Sequence, residues 1–139
     1  MIEVGRSRDV SAPPSAVWAV LADFAAISSW AADVDHSCLM SDQTEGVGMV
    51  RRIQTGRTTV VERVVTWGPP TCLSYALTGL PPAVRSATNT WTVTATPSGS
   101  RVSLTSRVDA RPRLVARAVG HKLGQASDRL IVGLQARVS

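Results

Sequence analysis

Hydrophobic residues along this 139-residue chain first alternate, then fall at helical spacing, then alternate again over a long middle section, and end helical. Ile2, Val4 and Val10 alternate with polar neighbours and predict a first strand over Ile2 to Val10. Arg6 and Arg8 fall on the same alternation, so a regular strand cannot place all five inside. A bulge, an edge position, or arginine side chains reaching past a rim is expected. Pro13 or Pro14 suits a first helical turn. Val17, Trp18, Leu21 and Phe24 then follow at i, i+1, i+4 and i+7, the apolar face of a helix. A break near Asp23 and a second short helix deliver Trp30.

Beyond Trp30, Asp33 to Ser41 is expected to hold a second strand. Met49 to Gln54 and Arg57 to Trp67 read as a hairpin turned at Thr55-Gly56, its second arm rich in Thr and Val. Gly68-Pro69-Pro70 breaks the chain before a strand over Cys72 to Thr78, and Gly79-Leu80-Pro81-Pro82-Ala83 is a stiff loop. Ser86 to Thr96 is a long strand, and Arg101 to Asp109 the last one. Thr88, Thr90, Thr92 and Thr94 take one face of the long strand; Asn89, Trp91, Val93 and Ala95 take the other, which is assigned to the interior.

From Pro112 to Ala136 the residues Val115, Val119, Leu123, Ala126, Leu130 and Leu134 repeat every three or four positions, opposite a polar stripe of Arg113, Arg117, His121, Gln125 and Asp128. This predicts a long amphipathic helix laid against the sheet. Gly120, Gly124 and Gly133 inside it each cost about 1 kcal/mol relative to alanine. Close packing or space left for a ligand would each account for them.

The length fits one domain, residues 1–139, able to bury its own core. The N-terminus has neither the basic start nor the apolar run of a secretion signal, and no segment is apolar enough to span a bilayer; a cytoplasmic location and no integral membrane association are expected. Cys38 and Cys72 are expected to be free, buried thiols. With two histidines and no CxxC or HxxxH spacing, no metal site is expected, and no cofactor motif is present. The net charge is +5, but the arginines are dispersed and Lys122 is the only lysine, so no nucleic-acid partner is expected. The charge favours anionic ligands or weak contact with an anionic surface.

The stretch from Ala12-Pro13 to Trp30, the segment Val61-Glu62-Arg63-Val64 with Trp67-Gly68-Pro69-Pro70, and Leu73-Ser74-Tyr75 resemble the START-like (SRPBCC, Bet v 1-like) superfamily and its polyketide cyclase/dehydrase-like family. The resemblance covers essentially the whole chain. It implies an α+β helix-grip fold in order β-α-α-β6-α, a curved antiparallel sheet of about seven strands wrapped around a long C-terminal helix. An apolar ligand would sit in the gap between them. The resemblance also implies an aromatic at the cavity mouth, which falls on Trp30, a gate-like role for Gly79-Leu80-Pro81-Pro82, and a cavity-facing glutamate, which falls on Glu62.

If Met49 and Ile53 face inward, alternation carries Arg51 inward with them, and the Thr55-Gly56 turn places Arg51 opposite Glu62 or one diagonal step away. Shifting the alternation by one residue would bring Arg52 or Arg63 into play instead and send Glu62 to solvent. A buried arginine and a buried carboxylate each need a partner, so the pair is a structural element, a head-group anchor, or an acid/base for a carbonyl substrate. Trp30, Met49, Arg51, Glu62, Tyr75 and Trp91 are the ligand-binding candidates, and Arg51 and Glu62 the catalytic ones. Asp33, Asp35 and His36 form a second possible acid/base group. The expected function is binding of a small hydrophobic ligand (a lipid, polyketide or similar metabolite). The alternatives are a cofactor-independent aromatase/cyclase-like enzyme and a pocketless interaction module.

Overall fold

The computed structural model describes residues 1–139. Nine of its elements are the strands β1 (Ile2–Val10), β2 (His36–Leu39), β3 (Val50–Thr55), β4 (Thr58–Gly68), β5 (Cys72–Thr78), β6 (Val84–Thr96) and β7 (Gly99–Ala110), and the helices α1 (Pro14–Ala22) and α2 (Arg113–Val138). A 3-10 helix, Phe24–Ser29, follows α1 after the break at Asp23. The seven strands form one antiparallel sheet in the order β1-β7-β6-β5-β4-β3-β2, with α2 packed across β1 and β7. This is the helix-grip arrangement. Register breaks at Val64/Thr66 in β4 and at Val84/Ser86 in β6 help curve the sheet around the helix.

β1 resolves the conflict in its own alternation. It runs along one edge of the sheet in unbroken register with β7, so no bulge is needed. Arg6 and Arg8 instead reach across to α2, where they bond Asp128 and Gln135. β2 is shorter than expected. Asp35 donates its backbone N–H to the Gln54 carbonyl at 2.9 Å while its side chain accepts the Gly56 N–H at 2.7 Å, and Asp33 turns to Arg129. Cys38, on this short edge strand, is exposed rather than buried, and Cys72 is half-buried; both are free thiols.

The main core gathers Val17 and Leu21 of α1 and Phe24 with Met49, Val64, Leu73, Tyr75, Trp91, Val93, Val102, Leu104, Ile131 and Leu134. Asn89, Trp91 and Val93 face inward as expected, whereas Ala95, near the strand end, is exposed.

The deepest line of α2 is displaced one residue from the apolar stripe in the sequence. Ala116, Gly120, Gly124, Ser127, Ile131 and Leu134 are buried, while Val115, Val119, Leu123, Ala126 and Leu130 are half-buried along one side. The helix's three glycines stand where neighbouring groups come close. A Cβ on Gly120 would lie 3.0 Å from Ile2 Cγ2, and one on Gly124 3.1 Å from Val4 Cγ1. On Gly133 it would lie 2.4 Å from the Trp30 carbonyl oxygen. Close packing accounts for all three glycines. The half-buried side of α2 faces a cavity beside the sheet.

Candidate functional site

Where α2 lifts from the sheet it leaves a cavity of about 250 Å3, lined by 17 residues of which 12 are hydrophobic. The sheet contributes Ile53 and Thr55 of β3, Val60 and Glu62 of β4, Tyr75 and Leu77 of β5, and Asn89 of β6. The helix contributes Leu123, Ala126, Arg129 and Leu130, and the segment after the 3-10 helix contributes Ala31 to Val34. Leu80, in the loop between β5 and β6, closes one side. Gly79 permits that turn: its φ is +91°, and a Cβ there would lie 2.7 Å from the Thr59 carbonyl oxygen. Arg129 and Asp33, both on the wall and partly exposed, pair at 3.0 Å between the helix and the segment opposite.

The polar groups of the wall come from alternate positions of neighbouring strands. In the β3–β4 hairpin Arg51 lies directly opposite Glu62, because the two-residue turn fixes the register. Met49, Arg51 and Ile53 are all buried, so the inward alternation is the one that carries Arg51 and Glu62; Arg63, on the other face, is exposed. Arg51 and Glu62 are only 3% and 5% exposed.

Arg51 Nε donates to Glu62 Oε1 at 2.8 Å, Nη2 lies 2.7 Å from the same oxygen, and Nη1 donates to the Phe24 carbonyl at 2.9 Å. The guanidinium is also held against the rings of Phe24 at 3.7 Å and Tyr75 at 4.7 Å. Each of its three nitrogens therefore has a protein partner. Burial pushes the Glu62 carboxyl above the usual glutamate range, and the nearby Arg51 charge and hydrogen bond pull it back. Burial also raises the Tyr75 hydroxyl, with the Glu62 charge adding to the shift.

Tyr75 and Asn89 are directly paired across β5 and β6. The Tyr75 hydroxyl accepts the Trp91 indole N–H at 3.2 Å. Asn89 Oδ1 accepts from Ser106 Oγ at 2.6 Å, and Ser106 lies 3.3 Å from Ser127 Oγ on α2. These bonds hold the Tyr75 ring and the Asn89 amide in place on the cavity wall.

Of the six side chains expected to bind ligand, Glu62 and Tyr75 lie on the wall. Met49, Arg51 and Trp91 lie in the buried core outside it. Trp30 packs edge-on to Trp91, ring centres 6.1 Å apart, and does not line the cavity at whose mouth it was expected; its buried indole N–H has no acceptor. Gly133 lets α2 seat on the Trp30 backbone, which is what draws that residue inward. Asp33, Asp35 and His36 do not converge: Asp33 joins Arg129, Asp35 caps the Gly56 turn, and His36 is exposed. Sequence reasoning put Asn89 on the interior face without naming it for the site, and it missed Leu123, Ala126 and Leu130 as wall residues. No sequence signal set them apart, because they share the apolar periodicity of the rest of that helix face. No cluster of three or more His, Cys, Asp or Glu side chains could hold a metal ion, and no helix is long and apolar enough to cross a membrane.

A curved antiparallel sheet gripping one long helix, with a partly open, mostly apolar cavity between them, is the helix-grip architecture. The whole chain, residues 1–139, matches the family described as polyketide cyclase / dehydrase and lipid transport, and the protein belongs to that family. Among solved structures it is similar to the ZhuI aromatase/cyclase from Streptomyces sp. R1128, with TM-score 0.83 and 17% identity over 99% of this chain and 93% of the other. A START superfamily protein from Mycobacterium smegmatis gives TM-score 0.79 and 12% identity over 98% and 96%. A protein from Thermobifida fusca solved by NMR gives TM-score 0.79 and 25% identity over 91% and 85%. No curated protein sequence matches the chain.

Proposed function

We propose that this protein binds a small, mostly apolar molecule in the cavity between sheet and α2, as a carrier or sensor. The observation that carries the reading is the partly open cavity of about 250 Å3, walled by 12 hydrophobic residues and marked by a few fixed polar groups. Apolar burial supplies the affinity and the polar groups the orientation. The volume is a little under the ~300 Å3 at which ordinary small-molecule sites begin. It suits a compact one- or two-ring molecule, or a short chain, better than a long acyl chain, and it is too large for the filled core of a pocketless module.

A second reading, cyclase-like chemistry on a keto substrate, is favoured by the carboxylate of Glu62 on the wall, which is placed to take a proton from a carbon beside a carbonyl. Arg51 has a different part in it from the one its charge implied. Held by Glu62, Phe24 and two rings, it orients Glu62 rather than anchoring an enolate.

Native mass spectrometry of freshly purified protein, with organic extraction of bound material, tests the binding reading. A co-purifying compact apolar molecule, or stoichiometric uptake from a panel of aromatic and short-chain compounds, is expected. Uptake of none of them would overturn it.

A further inference from the structure

We infer that the cavity selects a ligand carrying a neutral hydroxyl over the carboxylate of the same skeleton, with Glu62 and Tyr75 reading that hydroxyl; this rests on the binding reading above. Both short contacts from Arg51 fall on Glu62 Oε1. The other oxygen, Oε2, has no hydrogen-bond partner in the protein and is not sealed from the cavity. A buried carboxylate oxygen left open in this way requires a donor. Tyr75 is complementary. Its oxygen already accepts the Trp91 N–H and is also bonded by the Asn89 side chain across the sheet, and none of these bonds takes up its own proton.

The two residues are diagonal neighbours on one face of the sheet, since Glu62 lies opposite Leu77 and Tyr75 opposite Val64. Side chains in that relation are within reach of a common small group. A hydroxyl set between them donates to Glu62 Oε2 and accepts from Tyr75, satisfying both. A ketone accepts from Tyr75 but leaves Oε2 unpaired. A carboxylate places a second negative charge beside Glu62. The nearest cation cannot answer it, because the Arg51 guanidinium is clamped between Glu62, the Phe24 carbonyl and the two rings. The one cation on the wall itself, Arg129, is paired with Asp33. The net charge of +5 therefore says nothing about the ligand's polar end, and the ligand class is an apolar alcohol or phenol.

The test is a calorimetric titration of the intact protein at pH 7 with three probes on one fused-ring skeleton: 2-naphthol, 2-acetylnaphthalene and 2-naphthoate. The expected order of affinity is alcohol, ketone, carboxylate. The alcohol should bind about tenfold or more tightly than the carboxylate, the scale of one hydrogen bond to a charged group. The variant Tyr75→Phe keeps the ring and the Arg51–Glu62 pair. It should weaken 2-naphthol several-fold and leave unsubstituted naphthalene unchanged. Binding of 2-naphthoate as tight as 2-naphthol would overturn the selectivity and leave the cavity reading standing. Unchanged 2-naphthol affinity in Tyr75→Phe would remove Tyr75 from the recognition. Failure of every probe, naphthalene included, would overturn the cavity reading and the selectivity with it.

Discussion

Removing Arg51 while leaving Glu62 in place is the sharpest perturbation of this fold. Arg51→Met preserves most of the side-chain volume but strands a carboxylate that is 5% exposed and has no other cation in contact. Breaking a buried pair from one side costs about 3–5 kcal/mol. The Phe24 carbonyl also loses its donor, and the Phe24 ring loses the guanidinium held 3.7 Å from its centre. These effects overlap, so we expect a loss of about 4 kcal/mol, a large fraction of the stability of a domain this size. The double variant Arg51→Met/Glu62→Leu removes both charges and should regain most of that loss, because a hydrophobic replacement of a whole buried pair is near neutral or stabilising.

Urea unfolding followed by tryptophan fluorescence measures both variants, with stability read from the midpoint at constant slope. The pH dependence gives an independent check. Burial holds the Glu62 carboxyl of the folded protein above 4.5. The native state therefore binds more protons than the unfolded chain just above that pH, and stability falls as pH rises through the window up to the folded value. Without the opposing pull of Arg51 the folded value climbs, so in Arg51→Met the fall should extend to higher pH. A loss under about 1 kcal/mol for the single variant, the size of an exposed ion pair, would refute the reasoning. So would a double variant no more stable than the single one.

Gly133→Ala should destabilise by about 1–3 kcal/mol despite alanine's better helix propensity, because its Cβ would lie 2.4 Å from the backbone oxygen of Trp30, which cannot turn aside; thermal unfolding measures it. Gly120→Ala meets only the end of the Ile2 side chain at 3.0 Å and should be much milder in the same assay. Ala126→Phe projects a ring into the cavity and should abolish uptake of 2-naphthol in calorimetry while leaving the melting temperature unchanged or raised. Asp33→Ala frees the partly exposed Arg129 at the mouth; it should cost less than about 1 kcal/mol but speed ligand association and dissociation in stopped-flow fluorescence.

The alternation of Met49, Arg51 and Ile53, with the two-residue turn after Thr55, brought Arg51 opposite Glu62 or one diagonal step away on one of the two possible faces, and the structure pairs them directly on the inner one. In strands the face follows from parity, and a short turn fixes the register. Hydrophobicity alone did not choose the face, because valines fall on both sides of β4. The buried pair itself, held against Phe24 and Tyr75, is what marks the inner side. The seam of α2 was not legible for a physical reason. Gly120, Gly124 and Ser127 carry almost no hydrophobic signal, yet they are buried because the sheet approaches within contact distance of their backbone. The bulkier Leu123 and Leu130 dominate the sequence pattern but sit half-buried on the cavity wall. Trp30 illustrates the same limit: its place depends on a close approach by Gly133, a hundred residues away in the chain, which no local pattern encodes.

Methyl-resolved NMR during a titration with 2-naphthol tests most directly the claim that ligand enters this cavity. The account predicts saturable shifts in the methyl groups of Ile53, Leu77, Leu123 and Leu130 on the wall, with Leu21 and Leu104 of the packed core unmoved. Saturable shifts confined to outer-surface methyls such as those of Val47, Leu114 and Val132, or none at all, would contradict it.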